Sequence, residues 1–223
     1  MNVFYPKAER AALALALNAL AAAPSFDAWQ KGAVLDIATL LKPLRDSHAG
    51  VGGSNPAGKT RANIFSLAHL TTAERKFFLS ALLSELLMWA NTQTGTSVLR
   101  CLVYFDAVGG MPAAFPGDPL ITELVKALIL QGPAAGVGLL LAAPNPVDLD
   151  YAGLAGLGTW FICRPRSPAG QSAALDGLQS AGGQLDREEM ARLLGSLPEH
   201  VFLALGAGGA LRIFQARSTI LGR

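Results

Sequence analysis

Charge is scarce in this chain. Only 15% of its 223 residues are Asp, Glu, Lys or Arg, where an ordinary soluble domain carries roughly a quarter. The 18 basic and 16 acidic residues leave a formal +2, which excludes a protein whose main business is electrostatic. Cysteine is nearly missing: Cys101 and Cys163 are the two present. They match neither a zinc spacing nor a disulfide scaffold. Each sits in an apolar run and reads as a buried free thiol, so a reducing, cytoplasmic location is expected. What the chain has instead is apolar bulk. Hydrophobic residues make up 51%, and Ala and Leu together about a third. That excludes a disordered chain, and the length suffices for one large α/β domain or a domain with a small appendage.

Two apolar runs imitate membrane signals. AALALALNALAAA (11–23) follows Lys7 and Arg10 and ends in small residues, as a secretory leader does. Glu9 in the basic region, Asn18 in the apolar one and Pro24 after AAA all argue against a leader. Leu13, Leu17 and Leu20 recur at helical spacing, so a buried helix ending at Pro24 is expected. Residues 127–147 carry no charge, yet Gly132-Pro133 and Asn145-Pro146 would break a spanning helix. No membrane span is expected.

Along the chain, a helical N-terminal segment (1–45) precedes a Gly/Ser/Pro-rich loop (46–60), and an α/β core fills 61–223. The pattern predicts a short strand NIFSLAHL (63–70) and a helix from Glu74 to Thr92 with an apolar face of Phe77, Phe78, Leu82, Leu86 and Trp89. A strand CLVYFDAV follows, then a helix from Pro119 to Gln131. The run VGLLLAA (137–143), apolar on both faces, reads as an interior parallel strand. TWFIC (159–163) is another strand, Leu185 to Leu194 a helix, and the end a hairpin-like pair around Gly206–Gly209. Alternating strands and helices imply a mostly parallel sheet covered by helices, with ligands at the carboxyl edge of the strands. Asp106 and Asn145 fall on that edge.

Gly53-Ser54-Asn55-Pro56-Ala57-Gly58-Lys59-Thr60 matches G-x-x-x-x-G-K-[ST] letter for letter. A phosphate cradle needs an apolar strand leading in and a helix N-terminus leading out, so that amides and helix dipole face the anion. Here the lead-in is polar and Gly-rich and the lead-out reads as a strand. The match is therefore read as a coincidence of letters, with a working nucleotide loop at Gly53, Gly58, Lys59 and Thr60 as the competing reading. Four apolar residues and then Asp106 would present a carboxylate to Mg²⁺ as a Walker B strand does. Its usual neighbour, a water-polarising Glu, is Ala107 here. Asp148 and Asp150 read as a structural turn or a cation pair. Arg164 and Arg166 flank Pro165 at a strand end, either as a solvated pair or with Arg164 as an arginine finger to a neighbouring site. His48, His69 and His200 show no metal-ligand spacing, and Trp29, Trp89 and Trp160 read as core.

The stretch from Leu102 to Pro165 resembles the second half of a HerA/FtsK-like P-loop ATPase, with NPVDLDY (145–151) and GTWFI (158–162) the most telling parts. ALALALNALAAAPSF, IFSLAHLTTAERKFF and LDREEMARLLGSLPEHVFLA extend the likeness over nearly the whole chain. Such proteins are typically ring-forming motors that translocate DNA. The resemblance implies an incomplete RecA/FtsK-like core lacking the upstream phosphate loop, with Pro56–Arg61 falling where relatives have a plain turn. It also implies a nucleotide edge stripped of chemistry: the family's Glu is Ala107, a Lys and an Arg are lost at Leu130 and Pro133, and a sensor-like Gln is Pro144. Asp106, Gln131, Asn145, Asp148 and Arg164 remain.

The expected function is therefore a catalytically degenerate half-module, a scaffold or interaction subunit with a protein partner or a second copy and no cofactor of its own. The alternative is an active ATP-dependent DNA translocase using Gly53–Thr60 or a partner's loop, with ATP and Mg²⁺ at Asp106. A third reading is a gene fragment without selected function. DNA enters through the resemblance alone, since residues 101–163 are acidic on balance. The missing central strand would leave VGLLLAA with a bare side, to be covered by TWFIC or by another chain.

Overall fold

The computed structural model describes residues 6–23, 34–42, 61–106, 115–182, 186–206 and 208–217. The chain divides into two units, Met1–Asp36 and Ile37–Arg223. The first contains α1, Lys7–Ala22, which closes with the Ala23 N–H donating to the Leu20 carbonyl. The helix is where the Leu spacing put it. The expected burial is not met, because none of its residues is buried. An apolar run supplies a face, but burial needs a second surface.

In the second unit, α2 (Ile37–Leu41) buries Ile37. The Asn63 amide donates to the Leu40 carbonyl at 2.9 Å and the Arg61 guanidinium to the Thr39 carbonyl at 3.1 Å. These side-chain bonds hold a segment expected to be a strand. Residues 63–70 instead form extended chain and a turn, with Ile64 92% exposed. A run of this composition becomes a strand only when a neighbour completes its ladder.

Helix α3, Thr72–Asn91, opens with a capping box in which the Thr71 side chain and Glu74 reciprocally satisfy each other's backbone N–H. Those bonds from Thr71 hold the Glu74 carboxyl below its usual range. The buried stripe is Leu79, Leu83, Leu86 and Ala90, which shares only Leu86 with the predicted face. A helix apolar nearly all round offers several stripes at one period, and the packing partner selects among them. That partner is α4, Pro119–Gln131, which buries Ile121, Val125 and Leu128. Asp118 caps α4 by accepting from the Leu120 and Ile121 N–H groups, with Pro119 at the first position. It also meets Lys76 of α3 at 3.0 Å. The ammonium and the capped amides hold the Asp118 carboxyl low.

Strand β1, Cys101–Phe105, pairs in parallel with β2, Val137–Leu141. A 3₁₀ turn, Gly132–Ala135, leads into β2 through Gly136. Gly136 has φ +76°, and a Cβ there would run into the Val98 carbonyl, so only glycine suits the place. The Gly136 carbonyl accepts from the Arg100 N–H at 2.7 Å. That bond ties the starts of the two strands together.

Strand β3, Trp160–Cys163, does not join this pair. It runs antiparallel to β4, Val201–Leu205, which turns back through Gly208 and Gly209 into antiparallel β5, Leu211–Gln215. The terminal hairpin is as expected. The mostly parallel sheet is not: parallel pairing holds for β1–β2 alone among the named strands. Among the described residues β2 pairs only with β1, and Leu140 is 44% exposed. Among the described residues VGLLLAA therefore has one ladder neighbour, not two, and TWFIC is not the strand on its other side.

Two helices fill the remainder. In α5, Pro168–Ser180, Ser167 caps the first turn, and Gly170, Ala174, Leu175, Gly177 and Leu178 are buried. In α6, Arg187–Ser196, Asp186 is the cap and Met190 and Leu194 are buried. The Gln171 amide donates to the Ala191 carbonyl at 2.8 Å, and Arg187 reaches Asp176 at 2.7 Å. The architecture is mixed α/β. None of the described helices is long and apolar enough to cross a membrane.

Candidate functional site

Parallel pairing fixes which residues share an edge. Phe105 lies opposite Leu141, and the Ala142 N–H donates to the Phe105 carbonyl at 2.9 Å. The chain leaving β1 and the chain leaving β2 therefore emerge side by side. Asp106 follows β1 directly and is exposed. Asn145 lies a few residues beyond β2, also exposed, and precedes a 3₁₀ turn, Pro146–Asp148. Its backbone carbonyl accepts from the Asp148 N–H at 3.1 Å, while its side chain makes no capping bond. These are the two predicted residues that the fold assigns to one strand edge.

Sequence reasoning missed the partner of Asp106. Tyr104 donates its hydroxyl to Asp106 Oδ1 at 3.0 Å. The signal was available, because residues two apart on extended chain point to one side. That bond, with the nearby negative charge, holds the Tyr104 phenol above its ordinary range. The carboxylate at the candidate Mg²⁺ position thus already has a local donor.

The other predicted residues lie elsewhere. Arg164 and Arg166 are exposed, just past β3 in the antiparallel sheet. Among the described residues neither bonds to Asp106 or Asn145. Gln131 is exposed at the end of α4, beside exposed Leu130. Gly53, Gly58, Lys59, Thr60, Ala107, Trp29 and His48 lie outside the described residues. His69 and His200 are exposed. Among the described residues no three His, Cys, Asp or Glu side chains converge as a metal-binding group.

The Asp148–Asp150 turn serves the fold. Its backbone pairs with buried Phe115: the Phe115 N–H donates to the Asp148 carbonyl and the Asp150 N–H to the Phe115 carbonyl, both at 2.8 Å. Tyr151 follows, donating its hydroxyl to the Pro146 carbonyl at 3.0 Å and lying 5.5 Å from the Trp160 ring. Burial, with the charge of Asp176, pushes its phenol up to about 12. Trp160 is buried as expected, and its indole N–H has no protein acceptor among the described residues. Of the thiols, Cys101 is partly buried, which pushes it up. Cys163 is exposed, contrary to expectation, because strand alternation sends Trp160 and Ile162 inward and Phe161 and Cys163 outward.

Fitted against a nucleotide and Mg²⁺, the described edge falls short. Among the side chains of Asp106, Ala142, Ala143, Pro144 and Asn145 there is one carboxylate, which accepts the Tyr104 hydroxyl, one amide and no cation.

Neither a protein-family model nor a curated protein matches the chain. Among solved structures it is similar to the genome packaging NTPase B204 from Sulfolobus turreted icosahedral virus 2. Against that protein's complex with AMPPCP the identity is 16% and the TM-score 0.45, over 63% of this chain and 64% of that one. Against the AMP complex the values are 16% and 0.44, over 62% of each chain. Against the ATP-gammaS complex they are 17% and 0.42, over 62% and 64%. The chain spans less than two thirds of that protein's length.

Proposed function

We propose that this chain is a catalytically degenerate module of the HerA/FtsK-like NTPase kind, working as a scaffold or interaction subunit. The observation that carries the reading is the β1–β2 edge itself. A parallel strand pair sets Asp106 at the carboxyl end of β1, beside the end of β2, which in this reading corresponds to a nucleotide-metal position that has lost its neighbours. The residues after β2 beside it are Ala142, Ala143 and Pro144, and its carboxylate accepts the Tyr104 hydroxyl.

The open side of β2 supports an interaction role. Its backbone groups face away from β1 without a ladder partner among the described residues, and such an edge accepts an extended segment. A strand from outside residues 1–223 would complete it. The partner is a protein chain, either a different one or a second copy, and the setting is the cytoplasm.

The test is Mg²⁺-dependent ATP turnover by the purified chain, with Asp106→Ala alongside. No turnover above background is expected from either. Hydrolysis that disappears in Asp106→Ala would overturn the reading in favour of an active ATPase. Equilibrium binding of a fluorescent ATP analogue to wild type and Lys59→Ala then asks whether Gly53–Thr60 is the loop responsible. Equal, negligible binding is the expected result.

A further inference from the structure

Strand β5 lies at the margin of the core. In β4 beside it, Leu203 and Leu205 are buried, yet Ile213, opposite Leu203, is 54% exposed. Phe214, on the other side of the strand, is 39% exposed. Every residue from Arg212 to Gln215 is exposed. Among the described residues β5 has β4 as its ladder neighbour and none on its far side.

The hydrogen bonds at the two ends of the hairpin fix which backbone groups look outward. The Gly206 N–H donates to the Ala210 carbonyl at 3.0 Å and the Ala216 N–H to the His200 carbonyl at 2.8 Å. Opposed residues of an antiparallel ladder alternate between exchanging both backbone bonds and exchanging none. Between those two ends, the bonded pairs are therefore Phe202–Phe214 and Ala204–Arg212. Leu211, Ile213 and Gln215 turn their N–H and C=O groups away from β4. Such an edge is a template for another strand.

Its chemistry is self-complementary about Ile213. Lay a second β5 antiparallel on the first with Ile213 opposite Ile213, and the outward residues meet only outward residues. Leu211 faces Gln215 of the second copy, and each such pair can exchange both backbone bonds. Arg212 falls opposite Phe214 at the closer, non-bonded spacing, so the strand's single charge meets a ring and not its like. The ring is open to it. Its aromatic neighbours, Phe202 stacked at 5.5 Å and Phe161 edge-on at 5.6 Å, both come from strands on the β4 side. A slip of one residue would oppose outward to inward backbone groups. A slip of two would set Arg212 against Arg212, which is unfavourable, or against Ala216 with no ring.

We infer that β5 pairs antiparallel with β5 of a second copy about a twofold axis at Ile213, joining the two three-stranded sheets into one. A five-residue ladder is a small interface, so the dimer is reversible and concentration-dependent. The contact is separate from the open side of β2 and from the Asp106 edge, and its failure would leave the reading of those untouched.

Sedimentation equilibrium of the full chain over a concentration series, in reducing buffer, tests this. A monomer–dimer equilibrium is expected. Ile213→Pro should weaken it roughly tenfold or more by removing the central N–H donor of each copy. The hairpin is spared, because β4 does not use that N–H. Ile213→Lys and Ile213→Glu should each be monomeric, since like charges would meet at the axis, and should dimerise when mixed. That rescue keeps the test decisive if the Pro variant is unstable. Amide hydrogen exchange reads the register: protection of Leu211, Ile213 and Gln215 should rise with protein concentration, while Arg212 and Phe214 are protected throughout. A chain monomeric at every concentration overturns the proposal. So does a dimer that Ile213→Pro and Ile213→Lys leave intact, which would place the second copy elsewhere. Protection of the three outward amides in the monomer would also overturn it, because the edge would then be covered within the chain.

Discussion

The Tyr151 ring lies directly over the bare Cα of Gly177. A Cβ built on Gly177 would fall inside contact distance of ring carbons Cε1 and Cδ1. Gly177 lies within α5 and is buried, and the ring cannot readily swing away. Its hydroxyl is bonded to the Pro146 carbonyl and its face is against Trp160. This one contact joins α5 to the turn after β2 and to β3.

Gly177→Ala should therefore destabilise, although helix propensity alone would favour it by about 1 kcal/mol. Overpacking typically costs about 1–3 kcal/mol, so after the propensity gain of about 1 kcal/mol a net loss of up to about 2 kcal/mol is expected in urea denaturation. In a Tyr151→Ala background the clash is gone and the same change should be neutral or stabilising. A cost that persists in that background would show that the ring is not the cause.

The Lys76–Asp118 pair joins α3 to α4 and makes acid stability depend on it. Asp118 and Glu74 are both held below the ordinary carboxylate range. Such groups contribute stability above their unfolded values, near pH 4, and lose it as pH falls through the folded values. Asn caps as well as Asp, so Asp118→Asn removes the charge and spares the cap. The difference between wild type and Asp118→Asn, present at pH 6, should narrow below about pH 4. Denaturant midpoints measured from pH 6 to 2.5 check this; a gap independent of pH would refute it.

Thr71→Ala removes one half of the capping box that starts α3. A loss of about 1 kcal/mol is expected, within the usual 0.5–2 kcal/mol for caps. Thr71→Ser should restore most of it. Thermal midpoints of the three proteins provide the comparison.

Asp106→Ala should lower the pH at which Tyr104 ionises, since the carboxylate is what holds the phenol up. Ultraviolet absorbance titration reads the change, with Tyr104→Phe identifying the transition. Tyr151, pushed up to about 12, should titrate later and stay unaffected. An unchanged Tyr104 transition would mean that the hydrogen bond does not persist in solution.

Local signals were legible where chemistry is local. Thr71 with Glu74, Asp118 with Pro119, and the Gly-rich turn before β5 announce their elements whatever surrounds them. Helix α5 is hard to read from sequence: Ser167-Pro168 is a sound helix start, but Gly170 and Gly177 dilute the pattern. Gly177 is the one that lets the Tyr151 ring approach. Residues 63–70 have a strand's composition without being one, because apolar composition is a property of the segment, whereas a ladder is a property of two.

By itself the sequence determined the helices α3, α4 and α6, the five strands as extended segments, and the position of Asp106 at the end of β1. It could do so because caps, turns and periodicity act within a few residues. Only the tertiary structure decided which stripe of α3 is buried and that β3 pairs with β4 and not β2. It alone assembled Phe161, Phe202, Phe214 and Arg212 on one exposed face. Those outcomes depend on register between segments about forty residues apart, and a change of one residue in register would turn every side chain to the opposite face.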